Sequence, residues 1–249
     1  MRLEEKIKNK YLYSKNFNLF KILYFWYQLL KAKKILKEKK FYSNWGVDMM
    51  ADHFFKKRKN GIYIDVGCHQ PFLNNNTYRL YKRGWIGINI DLDFNSVELF
   101  KFFRKKDTNI QCAISNKSET KDLFFYHNRS PVNTLSAVSG HNAKEIRKIN
   151  TQTLNEIIQN TKFKDKKIDY ISIDVEGTEL DVLMGFDLEK YRPDLVVLEF
   201  IDPKIKEFYQ QNIDSILNSE LNKYMKEHNY KLINWIHDDL VYVSNNFDK

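Results

Sequence analysis

Cysteine is nearly absent: Cys68 and Cys112 are the two that 249 residues contain. That excludes a disulfide framework and a cysteine-built zinc cluster, and it points to a reducing compartment. No run of about 18 apolar residues occurs, so no membrane-spanning helix is expected. The basic N-terminus has no apolar segment ending at a small-residue cleavage site, so no cleavable leader is expected. A basic core is missing too. The chain carries a net charge of +9, yet residues 1–60 hold +11 and residues 61–249 hold −2. A core built around nucleic acid usually has its own basic face, so nucleic acid is not expected as a partner.

What remains is ordinary for a globular protein, 43% hydrophobic and 29% charged, and long enough for one sizeable domain with an appendage. Residues 1–60 read as a basic, aromatic, helical extension to a domain spanning 61–249. Leu19–Leu30 is apolar and aromatic, and Lys31–Lys40 is rich in lysine. Two readings fit this arm. It packs on the core with a solvated basic end, or it makes a peripheral contact, through residues 1–45, with the inner face of a membrane. Either way the expected location is cytoplasmic.

From residue 61 short apolar strands alternate with helical patterns. The strands are Gly61–Val66, Trp85–Ile90, Asn109–Ile114, Lys167–Ile173 and Leu195–Phe200. The helices are Thr77–Lys82, Ser96–Arg104, Thr153–Gln159 and Glu179–Met184, the third opened by a capping box, Thr153-x-x-Glu156. Such alternation predicts an α/β fold, a doubly wound and mostly parallel sheet covered on both faces. Lys231–Ile236 and Leu240–Val243 flank His237-Asp238-Asp239 and read as a hairpin, giving an antiparallel strand at the C-terminal edge. The polar stretch Tyr126–Asn150 reads as a long loop and a candidate lid.

Open parallel sheets bind ligands beyond the carboxyl ends of their strands. The first strand ends in Asp65-Val66-Gly67-Cys68-His69, where one glycine permits a tight turn. The second ends in Asp91, an acid placed to accept both hydroxyls of a ribose. His69 stands where a dinucleotide fingerprint would have its second glycine, so a pyrophosphate cradle is not supported. The pair suits a nucleoside without phosphate. The fourth strand ends in Asp174-Val175-Glu176-Gly177, and the fifth carries Glu199. If Asp174 and Glu199 end neighbouring strands, they can bind a divalent cation or take a proton from a hydroxyl; helix capping is the competing role for Asp174 and Glu176. His69 is a candidate base or metal ligand. His127, His141 and Arg129 sit in the lid, where solvent exposure is the default.

Three blocks together resemble the FkbM-type methyltransferases: Tyr63–Pro71 with Asn76-Thr77-Tyr78, Leu80–Asp91, and Ile168–Leu183 (IDYISIDVEGTELDVL). The Asn-Thr-Tyr run and the Gly84-Trp85 pair are similar to the subset found in surface-polysaccharide gene clusters. The resemblance covers residues 61–202 and leaves the first 60 outside it. It implies a class I methyltransferase fold, S-adenosylmethionine as donor, and methylation of a hydroxyl oxygen, often on a sugar, in a glycan or its nucleotide-activated precursor. Asp65, Gly67 and Cys68 then match the cofactor loop, with Asn76 and Thr77 following it. Asp91 matches the ribose acid, and Cys112-Ala113 the segment beside the adenine. Cys68-His69 and Asp91-Leu92 replace the alanine-asparagine and glutamate-proline pairs of broader members.

A sugar hydroxyl is a poor nucleophile at neutral pH and needs a base or a metal. His69, Asp174 and Glu199 are the catalytic candidates, and the same three could hold a divalent metal ion. Two other classes compete: a nucleotide-sugar oxidoreductase, and a non-catalytic membrane-associated scaffold.

Overall fold

The computed structural model describes residues 18–36, 41–140, 142–202 and 212–247. Its centre is a seven-stranded sheet. In chain order its strands are β1 (Ile62–Val66), β2 (Ile86–Asp91), β3 (Thr108–Gln111), β7 (Tyr170–Ile173), β8 (Leu195–Glu199), β9 (Tyr230–Ile236) and β10 (Asp239–Ser244). Their spatial order is β3-β2-β1-β7-β8-β10-β9. The pairs from β3 to β8 are parallel, whereas β10 runs antiparallel to both β8 and β9. The C-terminal hairpin thus closes one edge as expected, with β10 inserted beside β8 and β9 outermost.

The sheet is covered on both faces because side chains alternate along each strand. Tyr63, Tyr170, Leu195, Val197 and Val241 point to one face. There they meet α2 (Val47–Phe54) and α3 (Tyr78–Lys82) around Val47, Ala51, Leu80 and Trp85. Residues 47–55, assigned to the N-terminal extension on sequence grounds, therefore fold onto the sheet. Ile64, Ile88, Ile171, Val196 and Leu240 point to the other face. It is covered by α5 (Leu154–Gln159), α6 (Glu179–Met184), α7 (Leu188–Tyr191), α8 (Ile213–Leu217) and α9 (Glu220–Glu227). The expected capping box opens α5: Glu156 N donates to Thr153 Oγ1 at 3.1 Å, and Thr153 N to Glu156 Oε2 at 2.8 Å. Between β2 and β3 lies α4 (Phe94–Phe103), on which α1 (Asn18–Leu36) packs through Tyr24 and Phe25.

Two expectations are corrected. The strand expected over Asn109–Ile114 breaks at Cys112 into β3 and β4 (Ala113–Ile114). The stretch Tyr126–Asn150 is not one loop. Its last residues belong to β6 (Glu145–Gln152), which pairs antiparallel with β5 (Thr120–Phe125) and parallel with β4 in a separate three-stranded sheet. Seven of the eight β6 residues lie at least partly exposed, so the strand lacks the apolar alternation that sequence reading relies on.

Candidate functional site

A cavity of about 440 Å³ opens at the carboxyl ends of β1, β2, β7 and β8, where the strand order switches direction. Its first half is built around Gly67. The residue has φ +79°, and a Cβ there would lie 1.7 Å from the carbonyl oxygen of Asp174. The amides of Gly67 and Cys68 both donate to Ile90 O, at 2.9 and 3.1 Å. The loop is thus folded back against β2, with its backbone at the cavity floor.

Beside it stands Asp91. Its Oδ2 accepts from His69 N at 2.8 Å and its Oδ1 from Asp93 N at 2.7 Å. Two backbone amides fix the carboxylate, and each oxygen keeps a lone pair for a ligand. Burial raises its carboxyl to about 7, against the pull of those amides towards the charged form. Ile90, Leu92, Cys112, Ala113 and Ile114 complete an apolar slot next to it. An apolar slot flanked by an anchored acid and a glycine turn fits a nucleoside.

The second half is acidic. Asp174, Glu176 and Glu199 each present a carboxylate oxygen within 4.8 Å of the others. Asp174 and Glu199 do end neighbouring strands, β7 and β8. Asp239, across from Glu199 on β10, and Asp238 also line the cavity. Burial, then the charge of Glu179, raises Asp174 to about 7; burial, then Asp174 and Glu179, raises Glu176 to about 8. Glu199 is held well above the carboxylate range by burial and by Asp174. Its Oε2 is buried and has no hydrogen-bond partner among the described residues. No lysine or arginine lines the cavity among the described residues.

Helix capping is the competing role for Asp174 and Glu176, but α6 has no side-chain cap bond at its N-cap, Thr178, and the turn before it is held by Glu179. Its Oε1 accepts from Val175 N at 3.0 Å and Gly177 N at 3.1 Å. Glu176 itself adopts φ +62°, which brings its carboxylate to the cavity. It is the acid that completes the trio with Asp174 and Glu199. His69 also lines the cavity but is not part of that trio.

The remaining site candidates divide. Asn76 lines the cavity and donates to Ser172 Oγ at 3.0 Å. Asp65, Cys68 and Thr77 are buried and do not line it. Asp65 Oδ2 instead accepts from Asn75 Nδ2 at 2.9 Å and Thr77 Oγ1 at 2.8 Å. Behind them lies Arg104, a buried cation that sequence reading passed over as a helix end. It donates to Thr77 Oγ1 at 2.7 Å, Asn75 Oδ1 at 2.6 Å and Pro71 O at 2.6 Å. Tyr63 hydroxyl, another of its acceptors, donates in turn to Asp107 Oδ2 at 2.5 Å. Arg104 thus ties both ends of the loop from Pro71 to Thr77 to the sheet.

The lid segment lines the cavity through Ser130, Pro131, Asn133, Thr134 and Leu135. Thr134 Oγ1 donates to Glu176 O at 2.8 Å, fastening the lid to the acidic turn. Arg129 is neither solvated nor aimed at a substrate. It is buried, its amide donates to Asp93 Oδ2 at 2.8 Å, and its guanidinium donates to Tyr24 hydroxyl on α1. His127 is exposed, and its ring stays on Asn128 O; His141 lies outside the described residues. Sequence reading also missed Trp45, which lines the mouth and stacks on His237 with centroids 4.0 Å apart.

The fold is that of a class I methyltransferase, and the cavity where its strand order switches fits a nucleoside. The family is more specific. The methyltransferase FkbM domain matches residues 65–232, two-thirds of the chain, and the chain belongs to that family. It is an S-adenosylmethionine-dependent methyltransferase, not the oxidoreductase or the scaffold considered above. A comparison with curated proteins finds no match. Among solved structures the chain is similar to a Pyrococcus horikoshii protein described as an RNA methyltransferase. The identity is 9%, the TM-score 0.44, and 86% of this chain and 97% of that one are covered. It is also similar to a Methanococcus maripaludis protein described as an S-adenosyl-L-methionine-dependent methyltransferase. There the identity is 10%, the TM-score 0.37, and the coverages are 82% and 86%.

Proposed function

We propose that this enzyme methylates a hydroxyl oxygen on a sugar, within a surface glycan of the capsule or lipopolysaccharide type or its nucleotide-activated precursor. The observation that carries the reading is the acidic half of the cavity. Asp174, Glu176 and Glu199 meet there with Asn44, Asn74, Asn76, Thr178 and the ring of Trp45. Carboxylates and amides match the donors and acceptors of a hydroxyl-rich ring, and an aromatic face matches its C–H surface. The lack of lysine or arginine among the described lining residues argues against a phosphate beside the reacting atom. A nucleoside diphosphate, if present, lies outside the reacting pocket.

When bound, S-adenosylmethionine supplies a methyl group already activated on a sulfonium. The glycine turn at Gly67 leaves room for it, the slot from Ile90 to Ile114 would hold its adenine, and Asp91 would hold its ribose hydroxyls. The acids opposite suit the sulfonium charge. The work left to the chain is alignment and proton removal. Asp174, raised to about 7, is matched to a general base at neutral pH. Asp174 would take the acceptor's hydroxyl proton on a carboxylate oxygen, leaving the hydroxyl oxygen free to receive the methyl group. Burial and the charges of Glu179, Asp238 and Asp65 tune Asp174 upwards, and a hydrogen bond with Glu199 offsets part of that rise.

A second reading is favoured by one atom, the partnerless Glu199 Oε2. A divalent cation on Asp174, Glu176 and Glu199 would satisfy it and lower the pKa of the acceptor hydroxyl. In that set Glu176 takes the place expected for His69.

The test is methyl transfer to a panel of free and nucleotide-activated sugars, read by product mass. One or more sugars should gain a single methyl on oxygen. Asp174→Asn should lower turnover about 10²-fold or more while leaving folding and S-adenosylmethionine affinity near normal. Near-normal turnover in that variant would remove Asp174 as the base. Calorimetric titration of chelator-treated protein with Mn²⁺, in wild type and Glu199→Gln, separates the two readings. The metal reading expects saturable binding that the variant loses.

A further inference from the structure

The helix α1 has two opposed faces, and the reaction uses neither. Its inner face is settled: Tyr24, Phe25, Gln28 and Ala32 are buried. Phe25 meets Phe102 edge-on at 5.0 Å, and Lys21 pairs with Glu98 of α4. At 100° per residue, Ile22, Leu23, Trp26 and Leu30 fall on a single arc on the opposite side. They are exposed by 42, 47, 50 and 62%. Lys33 and Lys34, also exposed, continue that arc into the last turn. The helix carries lysines and no acid at all, and Lys37, Lys39 and Lys40 follow it in sequence.

We infer that α1 is a docking helix for an anionic lipid surface. Its apolar arc of Ile22, Leu23, Trp26 and Leu30 enters the interface, with Lys33 and Lys34 on the headgroups. Such a helix lies in the membrane plane, with tryptophan and leucine at the acyl boundary and lysines beside the phosphates. No helix among the described residues is long and apolar enough to cross a membrane, so the contact is peripheral. A second copy of this chain is the poorer occupant, because α1 has lysines and no acid, so a copy's α1 brings no counter-charge to Lys33 and Lys34 in either orientation. The position of α1 gives the docking a consequence. Gln28 accepts from Gln70 Nε2 at 3.5 Å, and Tyr24 hydroxyl accepts from Arg129. The helix therefore abuts the two segments that wall the cavity, the loop after Gly67 and the lid. Docking would bring the cavity mouth near the bilayer, where membrane-held glycan precursors are within reach. The inference stands independently of the acceptor's identity.

The test is vesicle co-sedimentation of the full chain. One vesicle is phosphatidylcholine alone; the other is equimolar phosphatidylcholine and phosphatidylglycerol. The chain should bind the anionic vesicles at least about tenfold more strongly, less so with added salt. Trp26→Glu with Leu30→Glu, and separately Lys33→Glu with Lys34→Glu, should each lose that binding about tenfold or more. Unchanged melting and S-adenosylmethionine affinity would show that both variants remain folded. Equal, negligible binding to both vesicles would overturn the inference. So would anionic binding that both folded variants retain, because the charge of the whole arm would then be responsible. Sedimentation velocity gives the third outcome: a dimer that Trp26→Glu with Leu30→Glu dissolves would assign the face to a second copy instead.

Discussion

Two residues shape most of the half of the cavity that fits a nucleoside. Gly67 has no substitute, since its backbone is left-handed and the carbonyl of Asp174 occupies the space of a Cβ. Gly67→Ala meets both a positive φ, costing about 1–2 kcal/mol, and a direct clash. It should destabilise the protein by more than about 2 kcal/mol in denaturant unfolding and abolish S-adenosylmethionine binding. A stable variant that binds normally would place the ligand away from this turn. Asp91 makes a different prediction, on pH. Its carboxyl is raised to about 7 in the fold, above the unfolded value of about 3.9. Between those values the folded state holds a proton that the unfolded state has released. Its contribution to stability is therefore fully present below the unfolded value and declines as pH rises towards about 7. Affinity runs the other way, because two ribose hydroxyls donate best to the ionised form. Titrating S-adenosylmethionine across pH 5.5 to 8, a span set about the folded value, should show affinity falling as pH drops through about 7. Asp91→Asn should flatten both dependences. A pH-independent wild-type affinity would contradict this role.

At the scale of elements, the loop between β1 and α3 is shaped from behind. Arg104, at the end of α4, holds Pro71, Asn75 and Thr77, and Thr77 in turn holds Asp65. Burial raises Asp65 while the nearby Arg104 lowers it, so the cation offsets a buried acid. Arg104→Met keeps much of the volume and leaves Asp65 and Asp107 without it. Breaking a buried charge set this way typically costs roughly 3–5 kcal/mol. The variant should therefore unfold early and show weak cofactor binding as a consequence. If it melts like wild type, the loop is held by other means. This network shows where sequence reading stops. Asp65 and Thr77 were legible as residues of a binding loop, but their side chains turn inwards. That turn is set by a partner 27 residues beyond Thr77, and no local pattern announces it. β6 was missed for the opposite reason: its faces are mostly exposed and polar, and in β5 three polar residues are followed by three apolar ones, so no alternating apolar period marks either. Most strands of the main sheet are largely apolar, and all seven were placed within a few residues.

For the whole molecule, the distribution of charge is the organising fact. A chain of net +9 lines its cavity with Asp91, Asp174, Glu176, Glu199, Asp238 and Asp239, and the described lining residues include no lysine or arginine. The basicity lies in the N-terminal arm, outside the reacting pocket. Alternating strands made the fold legible, and acids at strand ends made Asp91, Asp174 and Glu199 legible, because the carboxyl edge of a parallel sheet is where ligands bind. Glu176 was read with capping as an even alternative, and only its left-handed backbone, φ +62°, carries it to the cavity. Trp45 and the Asp238-Asp239 pair were hidden because they reach the cavity from an interhelical segment and a hairpin turn. The central claim is that this cavity holds the methyl donor, with Asp91 on its ribose. Calorimetric titration of wild type and Asp91→Ala with S-adenosylmethionine at pH 8 tests it most directly. The account predicts a single site in the wild type and binding weaker by roughly 1.5–3 kcal/mol, about ten- to a hundredfold, in a variant that still folds. Equal affinity in the two proteins would contradict it.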